Sequence, residues 1–438
     1  MMNRYYIVLF ALSIVLVNPF GSDRGEIWTQ PKVAVLFVIV VSNIAILAWE
    51  EHFPVSRRWW VCLGLWLLFL AIGLVSTLNS PFPLHSFLGQ AEMGDGWLYW
   101  CLVAAFTLSN SLLLKVYPQV GRSQLFGLLF GGLLLAVASV PQLINWQIDY
   151  TITSGQVLEG DILVSTVFKN HQPIGFYSHR GHAAIVLAMT AMLASIAWQK
   201  KWLSRQQFLV TFVPIVVVLL LNGTRMAVVA LAIALAFQLG RKYYKQLAIA
   251  ISIGLVVVGI ATTQKQLPGL SIAQQLTSDR VYLWQMAGWG IQRRPLFGWG
   301  FDGFGIAYPY VKHTPGLETI LRIDDFTFDY RHEDGSFHQE IISSNKAHNL
   351  ILDTTISVGI LGTIAYFWLW LVYWRSLAKT SDRESIAIAI LYLVFTFAWF
   401  ECAQYAHLVW WVLSCANAGD RGVWLGETNA IAIEFGLK

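Results

Sequence analysis

The chain has 438 residues, of which 56% are hydrophobic and only 12% are charged, and its formal net charge is +4. Because a soluble globular protein carries roughly 25% charged residues, this composition and a mean hydropathy of +0.57 exclude an ordinary soluble domain and predict a polytopic membrane protein. The basic patches typical of nucleic-acid binding are absent, so no nucleic-acid partner is expected.

A membrane-spanning helix needs about 20 mostly apolar residues. The chain contains twelve such runs, at 4–20, 31–49, 59–78, 97–114, 123–142, 181–198, 207–222, 225–240, 246–263, 347–372, 385–400 and 403–418. The first run is interpreted as a retained helix, because no small-x-small cleavage pattern follows it. The last two belong to one apolar stretch that is too long for a single span and predicts a tight hairpin. The predicted fold class is an all-α integral membrane protein with about twelve transmembrane helices.

The distribution of Lys and Arg predicts the orientation. If the N-terminus lies inside, the inner segments hold sixteen Lys or Arg residues and the short outer segments hold five, Arg24, Lys32, Lys169, Arg180 and Arg225. Because cytoplasmic loops carry the excess of basic residues, both termini are expected in the cytoplasm. Three regions follow: transmembrane helices 1–9 with an outer loop at 143–180 (residues 1–263), a long outer loop (264–346), and transmembrane helices 10–12 with a cytoplasmic tail (347–438).

The long outer loop is the main polar interval of the chain, and its composition predicts that it is folded. It contains Trp284, Trp289 and Trp299 and ten Phe or Tyr residues, which a flexible linker would lack. We expect short helices lying on the membrane surface, one of them at Asp279–Gln292, where apolar residues recur at helical spacing. The glycines of Phe297–Gly305 then require tight turns.

Two arginines are candidates for binding phosphate. Arg225 follows Asn222-Gly223-Thr224 at the start of a predicted span, and Arg280 opens the amphipathic segment of the long loop. Helix N-termini and the planar guanidinium fork both favour phosphate oxygens. The alternative interpretations are an interfacial anchor for Arg225 and a local ion pair with Asp279 for Arg280.

His348 is the candidate general base. Ser343, Ser344 and Asn345 are good N-cap residues, so His348 is expected in the first turn of the helix that re-enters the membrane. The helix dipole there would disfavour the imidazolium and keep a neutral, proton-accepting ring. Asn349 is a possible supporting residue that orients the ring or a substrate hydroxyl. The alternative interpretation is an ordinary histidine at the membrane interface.

Two further groups of polar residues are weaker candidates. The first outer loop ends in Ser178-His179-Arg180-Gly181-His182, and Arg180 and His182 are possible supporting residues that line the same cavity. The acidic and histidine-rich run, composed of Asp324, Asp325, Asp329, His332, Glu333, Asp334 and His338, lacks regular ligand spacing and is more simply a solvated surface than a cation site. The four cysteines have no metal-ligand spacing either. No metal and no cofactor are expected.

Two arginines at helix ends and a neutral histidine suit glycosyl transfer from a polyprenyl diphosphate. The arginines would neutralise charge on the leaving diphosphate, and the histidine would take a proton from the acceptor hydroxyl. Such a cationic clamp needs neither a metal nor a nucleotide, which fits a site outside the cytoplasm.

The motifs resemble those of the O-antigen ligase and O-antigen polymerase superfamily of bacterial envelope enzymes. The resemblance rests on Gly223-Thr224-Arg225, on Asp279-Arg280 with the Pro295–Gly300 turn, and on His348-Asn349-Leu350 with Gly359 and Gly362 behind it. It implies a twelve-helix fold of the integral-membrane glycosyltransferase type in the bacterial inner membrane. It also implies metal-independent, inverting transfer from undecaprenyl diphosphate, with Arg225 and Arg280 binding the diphosphate and His348 acting as the base.

The acceptor stays open at this point. A ligase transfers the glycan to lipid A-core, which is the preferred expectation, whereas a polymerase extends another lipid-linked repeat and some relatives glycosylate pilin. An Asn-rich entry to the sixth span is expected in many relatives, but here it reads His179-Arg180-Gly181-His182. A transporter of inorganic anions is the alternative of another class, although the sequence shows neither an inverted repeat nor paired broken helices.

Overall fold

The structure, a computed structural model, describes residues 2–50, 55–143, 156–159, 162–165, 173–240, 271–312, 314–379 and 383–416. For residues 143, 156–159, 162–165, 239 and 271–279 it describes the backbone alone. The predicted span 246–263, the basic residues Arg241, Lys242, Lys245, Arg421 and Lys438, and Lys169 lie outside the described residues.

Fourteen α-helices are present in these ranges. They are α1 Met2–Val15, α2 Gln30–Ala48, α3 Arg57–Leu78, α4 Pro83–Leu88, α5 Trp97–Val116, α6 Pro118–Leu143, α7 Arg180–Gln199, α8 Arg205–Leu221, α9 Arg225–Leu239, α10 Ser271–Arg293, α11 Gly303–Val311, α12 Leu350–Lys379, α13 Arg383–Phe397 and α14 Ala406–Cys415. A π-helical turn at Gly25–Thr29 leads directly into α2. Eleven of the twelve predicted spans each overlap one of these helices.

Six helical segments in the described part of the chain are long and apolar enough to cross a membrane: Gly25–Ala48, Arg57–Leu78, Trp97–Val116, Pro118–Gln142, Arg180–Gln199 and Leu350–Lys379. Shorter apolar helices of 10–17 residues include α1, α8, α9 and α14. The chain is therefore a mostly helical, membrane-embedded protein, as predicted. The count of twelve spans stays a prediction.

Local sequence explains where several helices begin and how they pack. Ser56 accepts a hydrogen bond from the Trp59 N–H at the start of α3, and Ser204 and Gln207 form a capping box at the start of α8. In α6, Gly127 lets α1 approach closely, since a Cβ there would lie 2.5 Å from the carbonyl oxygen of Ile7. Small residues allow such close helix packing inside a membrane.

Aromatic side chains form the core beneath the long loop. Trp66 of α3, Trp100 of α5, Tyr366 of α12 and Trp410 of α14 are all buried. The rings of Trp66 and Trp410 lie 4.7 Å apart, and those of Trp100 and Tyr366 meet edge to face at 5.8 Å. Such tilted arrangements are the favoured geometry for aromatic pairs, and they bind four helices into one unit.

The long loop is folded, as its aromatic content predicts, but it is not built from short helices alone. Besides α10 and α11 it contains an antiparallel sheet in the order β3-β4-β5, formed by Leu317–Ile323, Thr327–His332 and Phe337–Ile341. The sequence analysis missed a two-residue alternation: Phe328 and Tyr330 are buried, whereas Arg331 faces outward. A further two-stranded hairpin, β1 Gln156–Glu159 and β2 Ile162–Ser165, lies in the first loop.

The turn at Pro295–Gly300 docks the long loop into a break in α12. Gly359 has a non-helical backbone within this helix, with φ of 68° and ψ of −178°. The freed backbone groups pair with the turn: Trp299 N–H donates to the Ile356 carbonyl, and Ile360 N–H donates to the Pro295 carbonyl, both at 2.9 Å. Because every backbone polar group within a membrane needs a partner, the turn and the helix break complete each other.

The predicted break in the apolar run near the C-terminus is present, whereas the tight hairpin of two membrane spans stays a prediction. Helix α13 ends at Phe397 and α14 begins at Ala406, and the intervening residues are not helical. This break is wider than expected, and it places Trp399 and Phe400 beside the entry to α12.

Candidate functional site

His348 lies at the centre of the candidate site, in a turn that precedes α12. Its backbone is left-handed, with φ of 57°, which is uncommon for a residue other than glycine and costs of order 1–3 kcal/mol. Its Nδ1 lies 3.1 Å from the carbonyl oxygen of Lys346. A carbonyl accepts only, so in a neutral ring Nδ1 carries the proton and Nε2 has the free lone pair. The geometry thus selects the tautomer that a general base needs.

The expected helical position of His348 is wrong. Helix α12 begins at Leu350, two residues later, so the helix dipole is not what keeps the ring neutral. Burial lowers the pKa of His348 to about 4, against the opposing hydrogen bond to Lys346, and the positive charge of Arg280 lowers it further. The ring is still neutral at neutral pH, as predicted, but for a different physical reason.

Asn349, expected to orient the ring or a substrate, is the N-cap of α12 instead. Its Oδ1 accepts hydrogen bonds from the N–H groups of Ile351 and Leu352 at 3.0 and 3.1 Å. Its Nδ2 donates to the Phe397 carbonyl at 2.9 Å. An asparagine at a helix N-cap satisfies otherwise unpaired N–H groups. The Asn349 amide therefore holds the end of α13 against the start of α12.

Trp399 and Phe400 form an aromatic wall around His348. The His348 ring meets both edge to face, at centroid distances of 4.8 Å and 4.9 Å. His179, from the end of the first loop, lies on the same indole of Trp399 at 5.3 Å. The sequence analysis did not single out these aromatic residues. The one available signal was their position in the break of a long apolar run.

His179 is the N-cap of α7, and its ring packs on Trp399, as the ring of His348 does. Its Nδ1 accepts a hydrogen bond from the Gly181 N–H at 3.0 Å, so a neutral ring carries its proton on Nε2. Burial lowers the pKa of His179 to about 3, and the positive charges of Arg180 and Arg24 lower it further, as does His348 when its ring is protonated. His179 thus offers a neutral N–H donor close to His348, which offers a neutral acceptor.

His182 is fully buried one turn further along α7. Its Nδ1 lies 3.3 Å from the Ser178 hydroxyl, and its ring packs against Phe400 and Tyr405, each at 5.5 Å. The structure therefore brings His182 to the back of the aromatic wall, where it supports the wall.

Asn222 links the backbone of Arg180 to the turn that precedes Arg225. Asn222, in the turn between α8 and α9, donates through Nδ2 to the Pro173 carbonyl at 2.8 Å and to the Arg180 carbonyl at 3.2 Å. Arg225 is the first residue of α9, as predicted, and it is exposed, which fits both phosphate binding and the alternative of an interfacial anchor. Gly223 has a φ of 74°, which allows the tight turn between the two helices.

The expected position of Arg280 near a helix start is wrong. Helix α10 begins at Ser271, so Arg280 lies well inside it. In the sequence the nearest helix breakers upstream are Pro268 and Gly269, and the intervening residues allow helix throughout. The side chain of Asp279 lies outside the described part of the chain. Arg280 is half-buried. Burial lowers the pKa of Arg280, and the charge of Arg280 lowers the pKa of His348.

Arg24 is a third cation near the histidines that the sequence analysis did not single out. The charge of Arg24 lowers the pKa of His179. Its guanidinium lies 3.3 Å from the Glu92 carboxylate and sits over the Phe326 ring at 5.5 Å. The one sequence signal was a basic residue in a short outer segment, against the charge bias of the chain.

The acidic and histidine-rich run does not converge on one point. Asp324 pairs with Arg322, Asp329 accepts a hydrogen bond from Gln339, and Asp334 accepts from Ser336. Among the residues that the structure describes, no group of three His, Cys, Asp or Glu side chains is placed to hold a metal ion. The run is a solvated surface over much of its length. Asp325 is the exception, since it is turned inward and accepts a hydrogen bond from the Ala91 N–H.

Comparison with known proteins finds similarity to one family. No curated protein gives a significant match to the chain. The family model described as O-antigen ligase matches residues 209–367, a region that includes Arg225, Arg280, His348 and the helix break at Gly359. His179, Arg180 and the aromatic wall lie outside the match. Residues 209–367 of the chain are thus similar to the O-antigen ligase family, which confirms the resemblance that the motifs indicate.

Proposed function

We propose that this protein transfers an oligosaccharide or polysaccharide from undecaprenyl diphosphate to an acceptor hydroxyl, with lipid A-core as the acceptor. The observation that carries the proposal is the neutral His348, with Nδ1 tied to the Lys346 carbonyl and Nε2 free, close to the charge of Arg280. The family match agrees with this assignment, because O-antigen ligases and the related polymerases act on lipid-linked glycans.

The proposed step is an inverting displacement at the anomeric carbon. His348 Nε2 takes the proton of the acceptor hydroxyl as its oxygen forms the new glycosidic bond. The bond between the anomeric carbon and the diphosphate oxygen breaks, and the diphosphate leaves with the electron pair. Arg225 and Arg280 neutralise the charge that develops on it, with Arg180 close to the Arg225 turn. In this mechanism the cationic charge comes from arginine, so we propose transfer that is independent of metal.

Donor binding would also activate the base. A pKa of about 4 for the His348 ring makes it a weak proton acceptor in the free protein. A diphosphate held beside the ring places negative charge close to the developing imidazolium and raises the pKa of His348. The base would then become effective only when the donor is bound, which limits wasteful hydrolysis.

We propose that the site faces the periplasm of a bacterial inner membrane, with both termini in the cytoplasm. The excess of basic residues in the predicted inner segments supports this orientation. Single-cysteine variants test it in a cysteine-free background: Ser336→Cys lies in the exposed β4–β5 turn, and Ser204→Cys precedes α8. A membrane-impermeant maleimide added to spheroplasts should label the Ser336 variant, whereas the Ser204 variant should react after lysis. The reverse pattern would overturn the orientation.

The transfer itself is tested with purified protein and a polyprenyl-diphosphate oligosaccharide in the presence of EDTA. Rough lipopolysaccharide is added to one reaction, and the other receives no acceptor. Product on lipopolysaccharide supports a ligase. Longer lipid-linked chains without added acceptor support a polymerase, which shares the donor chemistry. No turnover in either reaction, or turnover only after a divalent cation is restored, would contradict the proposed mechanism.

A further inference from the structure

The ion pairs of a buried lysine hold the turn that carries His348 in place. Lys346 is 4% exposed, and its Nζ lies 2.6 Å from Asp95 Oδ2 and 3.0 Å from Asp302 Oδ1. Asp95 lies between α4 and α5, and Asp302 precedes α11. One ammonium group therefore ties the His348 turn to two distant segments of the chain. A buried charge pair of this kind is strongly destabilising to break, because the remaining partner is left uncompensated.

The partner Asp302 is itself fixed. Its backbone is left-handed, with φ of 60°. Its Oδ2 lies 3.0 Å from His85 Nε2 and accepts a hydrogen bond from the Gln90 N–H at 3.2 Å. Burial opposes ionisation of Asp302 and of Lys346, but their mutual attraction outweighs it, so the pKa of Asp302 is lowered and that of Lys346 is raised. Lys346 and Asp302 are both charged in the folded protein.

A second contact clamps the backbone on both sides of His348. Asp353, in the first turn of α12, accepts a hydrogen bond from the Ala347 N–H at 2.6 Å through Oδ1. Its Oδ2 accepts from the Asn349 N–H at 3.2 Å. The two oxygens of one carboxylate thus hold the residues immediately before and after the left-handed His348. Backbone strain of this kind persists only where the surroundings impose it.

We infer that Lys346 and Asp353 are positioning residues, which hold the His348 ring in the orientation and tautomer of a general base. The Lys346 side chain fixes the residue whose carbonyl accepts the His348 Nδ1–H, and Asp353 fixes the backbone conformation that aims the ring. The consequence for turnover rests on the proposed function. The clamp itself is a property of the folded protein and can be measured without substrate.

The burial and the contacts of these residues argue against direct contact with the glycan. Lys346 and Asp353 are only 4% and 9% exposed. The Lys346 ammonium and both Asp353 oxygens already have partners within the protein. Lys346 and Asp353 therefore act through His348.

Asp353→Ala and Asp353→Asn test the clamp. We expect faster amide hydrogen exchange at Ala347 and Asn349 in a nanodisc without substrate, with a smaller change for the Asn variant, which keeps one acceptor oxygen. A displaced base should lower kcat by about 10²-fold while KM for the lipid-linked donor stays within about twofold. Asp334→Ala is the matched control, since Asp334 holds the Ser336 N–H in an exposed turn of the same loop. It should leave kcat unchanged.

Lys346→Met tests the tether, and Lys312→Met is its control because Lys312 pairs with Glu340 at 2.9 Å near the surface. If the single variant fails to insert, Asp95→Asn/Lys346→Met removes one unpaired carboxylate as well. Either folded form should show faster exchange across residues 344–349 and faster carbethoxylation of His348 by diethyl pyrocarbonate, with kcat reduced.

Wild-type exchange at Ala347 and Asn349 in Asp353→Ala would overturn the inference, and so would a folded Lys346 variant with full kcat. A rise in KM with unchanged kcat would also overturn it, because it would mean that these residues bind substrate. If instead His348→Ala kept full activity, the proposed function of His348 would fail while the exchange result still reported on the clamp.

Discussion

The imidazole of His348 meets the indole of Trp399 edge to face, with ring centroids 4.8 Å apart. His179 lies on the same indole at 5.3 Å. Trp399 therefore joins the entry of α12 to the entry of α7, two segments more than 160 residues apart in the chain. A neutral proton acceptor and a neutral N–H donor are held against one rigid side chain, as a precise site requires.

Gly181→Ala should disturb this arrangement from outside the family-matched region. A Cβ at Gly181 would lie 2.4 Å from Trp399 Cζ2, so the indole must move and the His348 ring must follow. A shift of about 1 Å at a catalytic group can cost about 10²-fold in rate, and we expect a loss of at least about tenfold in kcat. Gly64→Ala is the control, since a Cβ there meets nothing within 4 Å. Wild-type kcat in the Gly181 variant would count against the role of Trp399.

Substitution of Arg225 or Arg280 should slow transfer far more than substitution of a surface arginine. Arg225→Ala and Arg280→Ala should each slow transfer by about 10²- to 10³-fold while the protein still inserts, because the leaving diphosphate loses charge stabilisation. Arg225→Lys keeps the charge but loses the planar fork, so partial activity is expected. Arg322→Ala is the control, since Arg322 is exposed and pairs with Asp324. Transfer rates with a lipid-linked donor measure the effect, and equal losses in all variants would argue against a specific clamp.

The pH dependence of kcat/KM should reflect the lowered pKa of the buried His348. Its pKa is lowered to about 4, so kcat/KM should stay level from neutral pH down to about pH 5 and fall tenfold per unit below pH 4, where the base becomes protonated. Removing the charge of Arg280 stabilises the imidazolium. In Arg280→Met the acidic limb should therefore move to higher pH.

The comparison variant for the pH profile is Arg322→Met, which should leave the limb in place. A limb in Arg280→Met that stays fixed or moves to lower pH would show that the Arg280 charge does not act on the catalytic base.

A side chain at Gly359, in the break of α12, should destabilise the protein. Gly359 has a positive φ, and a Cβ there would lie 2.2 Å from the Leu296 carbonyl oxygen. Gly359→Ala should therefore undock the Pro295–Gly300 turn and lower the thermal unfolding temperature in detergent by several degrees, in line with a loss of about 1–3 kcal/mol. Gly335→Ala shares a positive φ but meets nothing within 4 Å, so it isolates the cost of the backbone alone. Equal destabilisation by the two variants would mean that the docking contact contributes little.

The sequence predicted the helical, membrane-embedded class because hydropathy along the chain is sufficient to locate long apolar helices. It also predicted the break in the last apolar run and the neutral state of His348. The candidate residues Arg225, Arg280 and His348 were chosen from short sequence motifs, and the family match covers all three.

The rest depended on contacts between distant segments, which no local pattern reveals. The first turn of α12 was misplaced because Ser343, Ser344 and Asn345 are all good caps, yet Asn349 performs that role. Arg280 was misplaced because no breaker separates Asp279 from the residues that follow Pro268-Gly269, so the helix extends upstream of the predicted segment. Trp399 and Lys346 belong to no sequence motif. Their contacts are with residues far away in the sequence: Trp399 packs against His179, and Lys346 pairs with Asp95 and Asp302.

The most direct measurement of the central claim compares the wild type with His348→Gln in single-turnover transfer from a polyprenyl-diphosphate oligosaccharide, with EDTA present. Gln is similar in reach but cannot take a proton, so the chemical step should slow by about 10²- to 10⁴-fold while donor binding is retained. A wild-type rate of transfer in the His348→Gln variant would contradict the account.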